Sequence, residues 1–186
     1  GVIKFAGPVT RINDYTFGNS WGANVIELYL PDTIESLGTC AIDAGIKTLR
    51  IPKNLKHIES YALDSHKLEF FTGHHVSDDR LSKIIDGTLV AFAAGSNVEE
   101  YVTPEGVRAI GPMSFYRNTT LKKIVISEGV TKICSEAFMC DVSDDTKLEE
   151  VYLPSTLDTL DFYAFARCKK IRRFYGDNKF IGSDGY

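Results

Sequence analysis

Apolar residues recur along this chain in a unit of about 23 residues, and four stretches show it most clearly. They are Pro52 to Leu63 (PKNLKHIESYAL), Pro104 to Phe115 (PEGVRAIGPMSF), Ser127 to Phe138 (SEGVTKICSEAF) and Pro154 to Phe165 (PSTLDTLDFYAF). In each, an apolar residue follows the first position by three and another by six, and a small-plus-large pair closes the unit. Pro31, Pro52, Pro104, Ser127 and Pro154 hold the same place, with gaps of 21, 52, 23 and 27 residues. A weaker copy opens the chain, where Ala6, Val9, Ile12, Thr16 and Phe17 fall in register. A fixed period of this length predicts stacked coils in which each unit buries its apolar side on the next.

One unit predicts its own elements. In Val151-Tyr152-Leu153 the alternation reads as a short strand with one face buried, and Pro154 ends it because proline cannot donate to a ladder. Equivalent strands in successive units stack in parallel about 4.8 Å apart, with right-handed connections. Leu157 and Leu160 are three apart, a spacing that predicts a 3₁₀ turn or short helix for the return arc. The small residue (Ala62, Ser114, Ala137, Ala164) lets the arc close, and the large one (Leu63, Phe115, Phe138, Phe165) fills the coil, so the phenylalanines should form one interior column. The expected fold is an α/β-type repeat solenoid with a parallel sheet on one face and irregular or 3₁₀ arcs on the other.

The gap of 52 holds a non-repeat island, 73–97. There Leu81 to Ile85 and Thr88 to Phe92 flank Asp86-Gly87, a strong hairpin signal. The hairpin is expected to split the solenoid into two stacks of three repeats. The chain then reads as one domain, 1–186, with repeats over about 1–72 and 98–176. Phe174-Tyr175-Gly176 through Tyr186 resembles Phe71-Thr72-Gly73 through Arg80 at the opening of the island, so residues 177–186 read as the start of a second one or a tail, and the chain is expected to be a fragment or a mature form.

Composition narrows the function. The net charge of −4 argues against nucleic-acid binding, which favours a basic stripe. No run of about 18 apolar residues is present to span a membrane, and the start has no signal-peptide pattern. The four cysteines, Cys40, Cys134, Cys140 and Cys168, form no CxxC pair. Cys140 and Cys168 follow their phenylalanines and read as small core residues, with a disulfide between coils as the alternative. His74-His75 beside Asp78 and Asp79, and the cluster Asp141, Asp144 and Asp145, are weak metal candidates: the first lacks a third histidine and the second the glycine of a calcium loop, and solvated loops explain them better. Asp158 and Asp161 align with Lys56 and Glu59 in another unit, so they read as arc surface. No nucleophile–base grouping or phosphate loop is present, so no enzyme, cofactor or metal is expected.

Leu148, Val151, Leu153, Pro154, Leu157, Leu160, Ala164, Phe165 and Cys168 follow in order the unit L-x-x-I-x-[IL]-P-x-x-[LV]-x-x-I-x-x-x-A-F-x-x-C. This unit resembles the BspA-like (Treponema pallidum-type) class of bacterial leucine-rich repeats, over nearly the whole chain. The island from Asp78 to Ala93 is similar to the hairpin insert of such proteins from gut Bacteroides. The chain departs from the pattern at Thr16, Leu63 and Ser127. The resemblance implies an extracellular or cell-surface protein, outer-membrane attachment included, that acts in adhesion or protein–protein contact without catalytic residues.

On the strand face, residues beside the buried ones form two outward ladders. One contains Tyr29, Arg50, Tyr152 and Tyr175; the other contains Glu27, Phe70, Glu100, Lys123, Glu150 and Arg173. Tyr and Arg are enriched at interfaces, so these ten positions are the candidate contact surface for a protein partner, host or matrix protein included. Two alternatives stand beside this reading. The module could be a spacer whose ladders bind nothing, or a glycan binder in which Tyr152 and Tyr175 stack on sugar rings.

Overall fold

The computed structural model describes residues 7–18, 26–42, 45–63, 66–140 and 145–180. Among them fifteen strands follow one another: β1 (Arg11–Ile12), β2 (Glu27–Tyr29), β3 (Ser36–Leu37), β4 (Thr48–Ile51), β5 (His57–Ile58), β6 (Phe70–Gly73), β7 (Ser82–Ile85), β8 (Thr88–Phe92), β9 (Glu100–Val102), β10 (Ala109–Ile110), β11 (Lys123–Val125), β12 (Lys132–Ile133), β13 (Glu150–Tyr152), β14 (Thr159–Leu160) and β15 (Arg173–Tyr175). Each repeat supplies two of them, a longer strand and a two-residue strand, and like stacks on like.

The longer strands make the strand face, in the orders β2-β4-β6 and β15-β13-β11-β9, all parallel. The short strands make a second column, β1-β3-β5 and β14-β12-β10-β8, also parallel. In register, Leu28, Leu49 and Phe71 lie one above another, as do Tyr101, Ile124, Val151 and Phe174. The pattern follows the period-2 alternation: these residues point inward and their neighbours outward.

The return arc differs from expectation. Among the described residues it contains no helix. The three-residue spacing is met by a single tight turn, closed by Leu157 N–H on the Pro154 carbonyl at 3.2 Å and likewise by Ile34 on Pro31 at 3.0 Å. The chain then straightens into the two-residue strand, where it gains ladder bonds to both neighbours that a 3₁₀ segment would forgo. A second turn follows, and its residue before the small one is left-handed in every repeat: Tyr15, Cys40, Tyr61, Met113, Glu136 and Tyr163 have φ between 48° and 61°. That reversal presents the small residue's carbonyl to the preceding coil. Phe115 N–H donates to Ala137 O at 2.8 Å, Phe138 to Ala164 at 2.8 Å and Ile42 to Ala62 at 2.9 Å.

The phenylalanine column forms as expected. Phe115 and Phe138 stack with centroids 4.6 Å apart and planes 16° apart; Phe138 and Phe165 stack at 4.8 Å and 9°. These distances equal the strand spacing, so the ladder and the ring stack reinforce each other.

The hairpin is present, with β7 and β8 antiparallel around Asp86-Gly87. Its second strand does more than protrude. β8 pairs in parallel with β10, setting Thr88 beside Ala109 and Leu89 beside Ile110. Phe92 N–H donates to Ser114 O at 2.7 Å, and the Phe92 ring stacks on Phe115 at 4.7 Å. The island thus contributes a rung to the second stack, whose strand face has four strands where the first has three. Two apolar cores result, one built from Ile12 to Phe71 with Ala91 and Ala93, the other from Leu89 to Ala164.

Between the cores lies a polar seam. The Tyr101 hydroxyl donates to Ser82 Oγ at 3.0 Å, Ser82 N–H donates to Ser77 Oγ at 2.9 Å, and Ser77 Oγ donates to Asp79. Lys83 is fully buried beside them, its ammonium donating to the His74 carbonyl at 3.1 Å. The chain leaves the island past Gly95, where a Cβ would lie 2.3 Å from the Lys67 carbonyl carbon, so only glycine fits that crossing.

Candidate functional site

The strand alternation that buries Leu49 and Ile124 turns both predicted ladders outward except at Thr48, which is covered, and the register aligns them. Glu27, Thr48 and Phe70 are neighbours, as are Tyr29, Arg50 and Thr72. In the second stack Glu100, Lys123, Glu150 and Arg173 form one row and Val102, Val125, Tyr152 and Tyr175 the other. The ten candidate residues therefore lie on two sheets, four on the first stack and six on the second.

The first group is largely occupied by its own neighbours. The Arg50 guanidinium donates to both Asp32 oxygens, at 3.1 and 3.3 Å, and to the Leu30 carbonyl at 3.0 Å. The Arg50 bond and the Lys53 N–H hold the Asp32 carboxyl below its ordinary range. Phe70 is half-buried under the Arg80 guanidinium, 4.3 Å from its ring centre. Tyr29 is 63% exposed, and its hydroxyl donates to Glu27 Oε2 at 2.9 Å, a bond that raises the phenol's pKa. Thr48, in the same row as Glu27, is buried. Asp32 and Arg80 were absent from the ladders read in the sequence. Asp32 stands in the turn after Pro31 and Arg80 in the island, outside the alternation that defines a ladder.

The second group makes a more continuous surface. Tyr152 and Tyr175 stack face to face, 4.4 Å apart and within 10° of parallel. The Lys123 ammonium lies 5.3 Å from the Tyr152 ring centre and pairs with Glu100 at 3.3 Å; that bond raises the lysine's pKa. The Tyr152 hydroxyl donates to Glu150 at 3.4 Å, and partial burial followed by the Glu150 charge pushes its pKa up. Arg173 is exposed at the end of its row. The arrangement offers flat aromatic area, a cation and carboxylates side by side, a set suited to contact with a protein surface.

The other candidates fall away from this face. His75 is exposed, and Asp79 accepts from Ser77 and from Leu81 N–H. No group of three metal-ligating side chains occurs among the described residues. Asp141 and Asp144 lie outside the described residues, as do Ala6 of the first unit and Ser183 to Tyr186 of the expected second island; Asp145 pairs with Lys170. Asp158 and Asp161 point to different lysines, Lys179 and Lys132, as arc surface does. None of the four cysteines is in a disulfide, and both Cys140 and Cys168 donate to the Phe138 carbonyl, at 3.7 and 3.1 Å. No helix is long and apolar enough to cross a membrane among the described residues.

Comparison with known proteins places this architecture. The family model for the BspA type leucine rich repeat region matches in six copies, over residues 2–78 and 83–183. A leucine-rich repeat protein from Eubacterium ventriosum superposes over 90% of this chain and 45% of its own, with a TM-score of 0.67 and 19% identity. A leucine rich cell surface protein from Faecalibacterium prausnitzii gives 96% and 46%, with a TM-score of 0.55 and 21% identity. The pneumococcal vaccine antigen PcpA gives 89% and 53%, with a TM-score of 0.53 and 18% identity. The chain spans about half the length of each of these structures, and at such identities the likeness is one of fold. No curated protein matches the sequence. The six matched copies cover nearly the whole chain, and the protein belongs to the BspA-type leucine-rich repeat family.

Proposed function

We propose that this chain is a non-enzymatic binding module of a bacterial cell-surface or secreted protein, and that the strand face of its second stack holds a protein partner. The observation that carries the reading is the half-exposed row in which Tyr152 and Tyr175 are stacked at 4.4 Å beside Lys123, Glu150 and the exposed Arg173. Stacking fixes the two phenol rings before any partner arrives, so little side-chain entropy remains to be lost on contact. Rigid aromatics flanked by charge are the composition of interface hot spots. The first-stack ladder, with Arg50 and Phe70 engaged internally, acts as support. A relative described as a cell surface protein agrees with the proposed location.

The test is the double variant Tyr152→Ala, Arg173→Ala, assayed by biolayer interferometry against purified host matrix proteins. Affinity for the partner should fall at least about tenfold, as loss of an interface anchor does, while the melting temperature falls by no more than the few degrees that losing the Tyr152–Tyr175 stack costs. A spacer would give no saturable binding and a silent variant, and a glycan face would lose binding with the tyrosines alone. Either result would replace the proposal.

A further inference from the structure

On the side opposite the strand face, the rungs are not equally long. From the second residue of the short strand to the large residue that closes the unit is five residues in Ile58 to Leu63, Ile110 to Phe115, Ile133 to Phe138 and Leu160 to Phe165. In the hairpin rung, Leu89 to Phe92, it is three. The two missing residues are those that elsewhere form the left-handed outer turn. Their absence leaves a notch of about 160 Å³ between the flanking rungs. Val90, Ala91 and Phe92 floor it, Tyr61 walls one side, and Pro112, Met113 and Tyr116 wall the other. Tyr61 and Tyr116 meet edge to face across it, centroids 5.1 Å apart.

A second observation points to an occupant. Ser114 lines this notch, is 3% exposed, and its hydroxyl finds no hydrogen-bond partner in the protein. A buried hydroxyl without a partner costs stability and is rarely retained without one. Glu59 supplies a carboxylate acceptor at the same notch, and no lysine or arginine lines it among the described residues. An anionic ligand would therefore meet a carboxylate and no cation. The two tyrosines pack on each other rather than around a common centre, which disfavours a caged ammonium ion. What remains complementary is a neutral ring with an apolar face for the aromatic walls and hydroxyls for Ser114 and Glu59.

We propose that this notch is a binding subsite for one neutral pyranose sugar residue, with Ser114 Oγ and the Glu59 carboxylate taking its hydroxyls. It is independent of the strand-face partner. Saturation-transfer NMR with the methyl glycosides of glucose, galactose, mannose, fucose and N-acetylglucosamine tests it, with tetramethylammonium and indole as competing probes. At least one glycoside should bind; Ser114→Ala should weaken it about three- to tenfold, the range for one lost hydrogen bond; and Val90→Phe, which fills the notch, should abolish the signal. Tyr152→Ala should leave it unchanged. Ser114→Ala should also keep or raise the melting temperature, since it deletes an unsatisfied hydroxyl, so lost binding cannot be ascribed to misfolding. Two results overturn the proposal: no glycoside gives a signal that Val90→Phe removes, or indole or tetramethylammonium saturates there in place of the sugars.

Discussion

Replacing Lys83 by Met should stabilise this protein at neutral pH. Lys83 has no exposed surface, no carboxylate pairs with it among the described residues, and its ammonium makes one hydrogen bond, to the His74 carbonyl at 3.1 Å. Burial lowers its pKa from 10.5 to about 8, so at pH 7 the folded protein still carries the charge and bears the cost of it. A difference of about 2.5 pKa units corresponds to roughly 3 kcal/mol. Methionine fills similar volume with no charge, and it orphans the His74 carbonyl at a cost of about 1 kcal/mol. The net gain at pH 7 is about 2 kcal/mol. The sign then reverses with pH. Between about 8 and 10.5 the unfolded chain binds the lysine proton and the folded one does not, so wild-type stability from this group rises across that window and is lost as pH falls through 8. Above it the neutral amine keeps its hydrogen bond, and the variant's advantage should disappear. Tyr101, pushed up to about 12 by burial, acts oppositely in alkali, but both proteins share it and it cancels in the difference. Urea melts of the two proteins at pH 7 and pH 10.5 give the comparison. A pH-independent difference, or a variant less stable at pH 7, would refute the reasoning.

Two further outcomes follow from the repeat itself. Phe138→Ala removes a ring that is 2% exposed and stacked on both sides, at 4.6 and 4.8 Å, and should cost roughly 3–5 kcal/mol in denaturant unfolding. Glu136, with φ 61°, tests the left-handed turn: Glu136→Gly should be neutral or slightly stabilising, whereas Glu136→Val should lose about 1–3 kcal/mol, and equal melting temperatures for the two would contradict the turn's role.

The repeat, its strand and the Phe115–Phe138–Phe165 column were legible in the sequence because periodicity reports directly on what stacks. The helical arc was not, because Leu157-x-x-Leu160 is the same spacing whether the chain makes a 3₁₀ turn or one tight turn and a two-residue strand; only the neighbouring coil decides. The role of β8 was hidden by its length. Ala91-Phe92 is the closing pair of a repeat, but the two residues missing before it put it out of register with the other units. The ladder rows were readable position by position, since alternation fixes which side chains face outward. Their engagement was not: the Asp32 clamp on Arg50 and the Arg80 cover on Phe70 join residues 18 and 10 apart in sequence through the stacking of coils. Lys83 was beyond reach for a similar reason. A lysine in Leu81-Ser82-Lys83-Ile84-Ile85 looks like the solvent side of a hairpin, and it is covered because that hairpin is wedged between two cores.

The direction of the bonds between coils has a mechanical consequence. The Phe115–Ala137 and Phe138–Ala164 links, like every ladder bond in the stack, run from one coil to the next. Pulling the outermost coils apart would load these bonds in series, so they would yield a few at a time, as in a zipper, rather than shear together. Because each coil touches only its immediate neighbours, such a module would pay out slack under tension coil by coil, from either end or at the polar seam around Lys83.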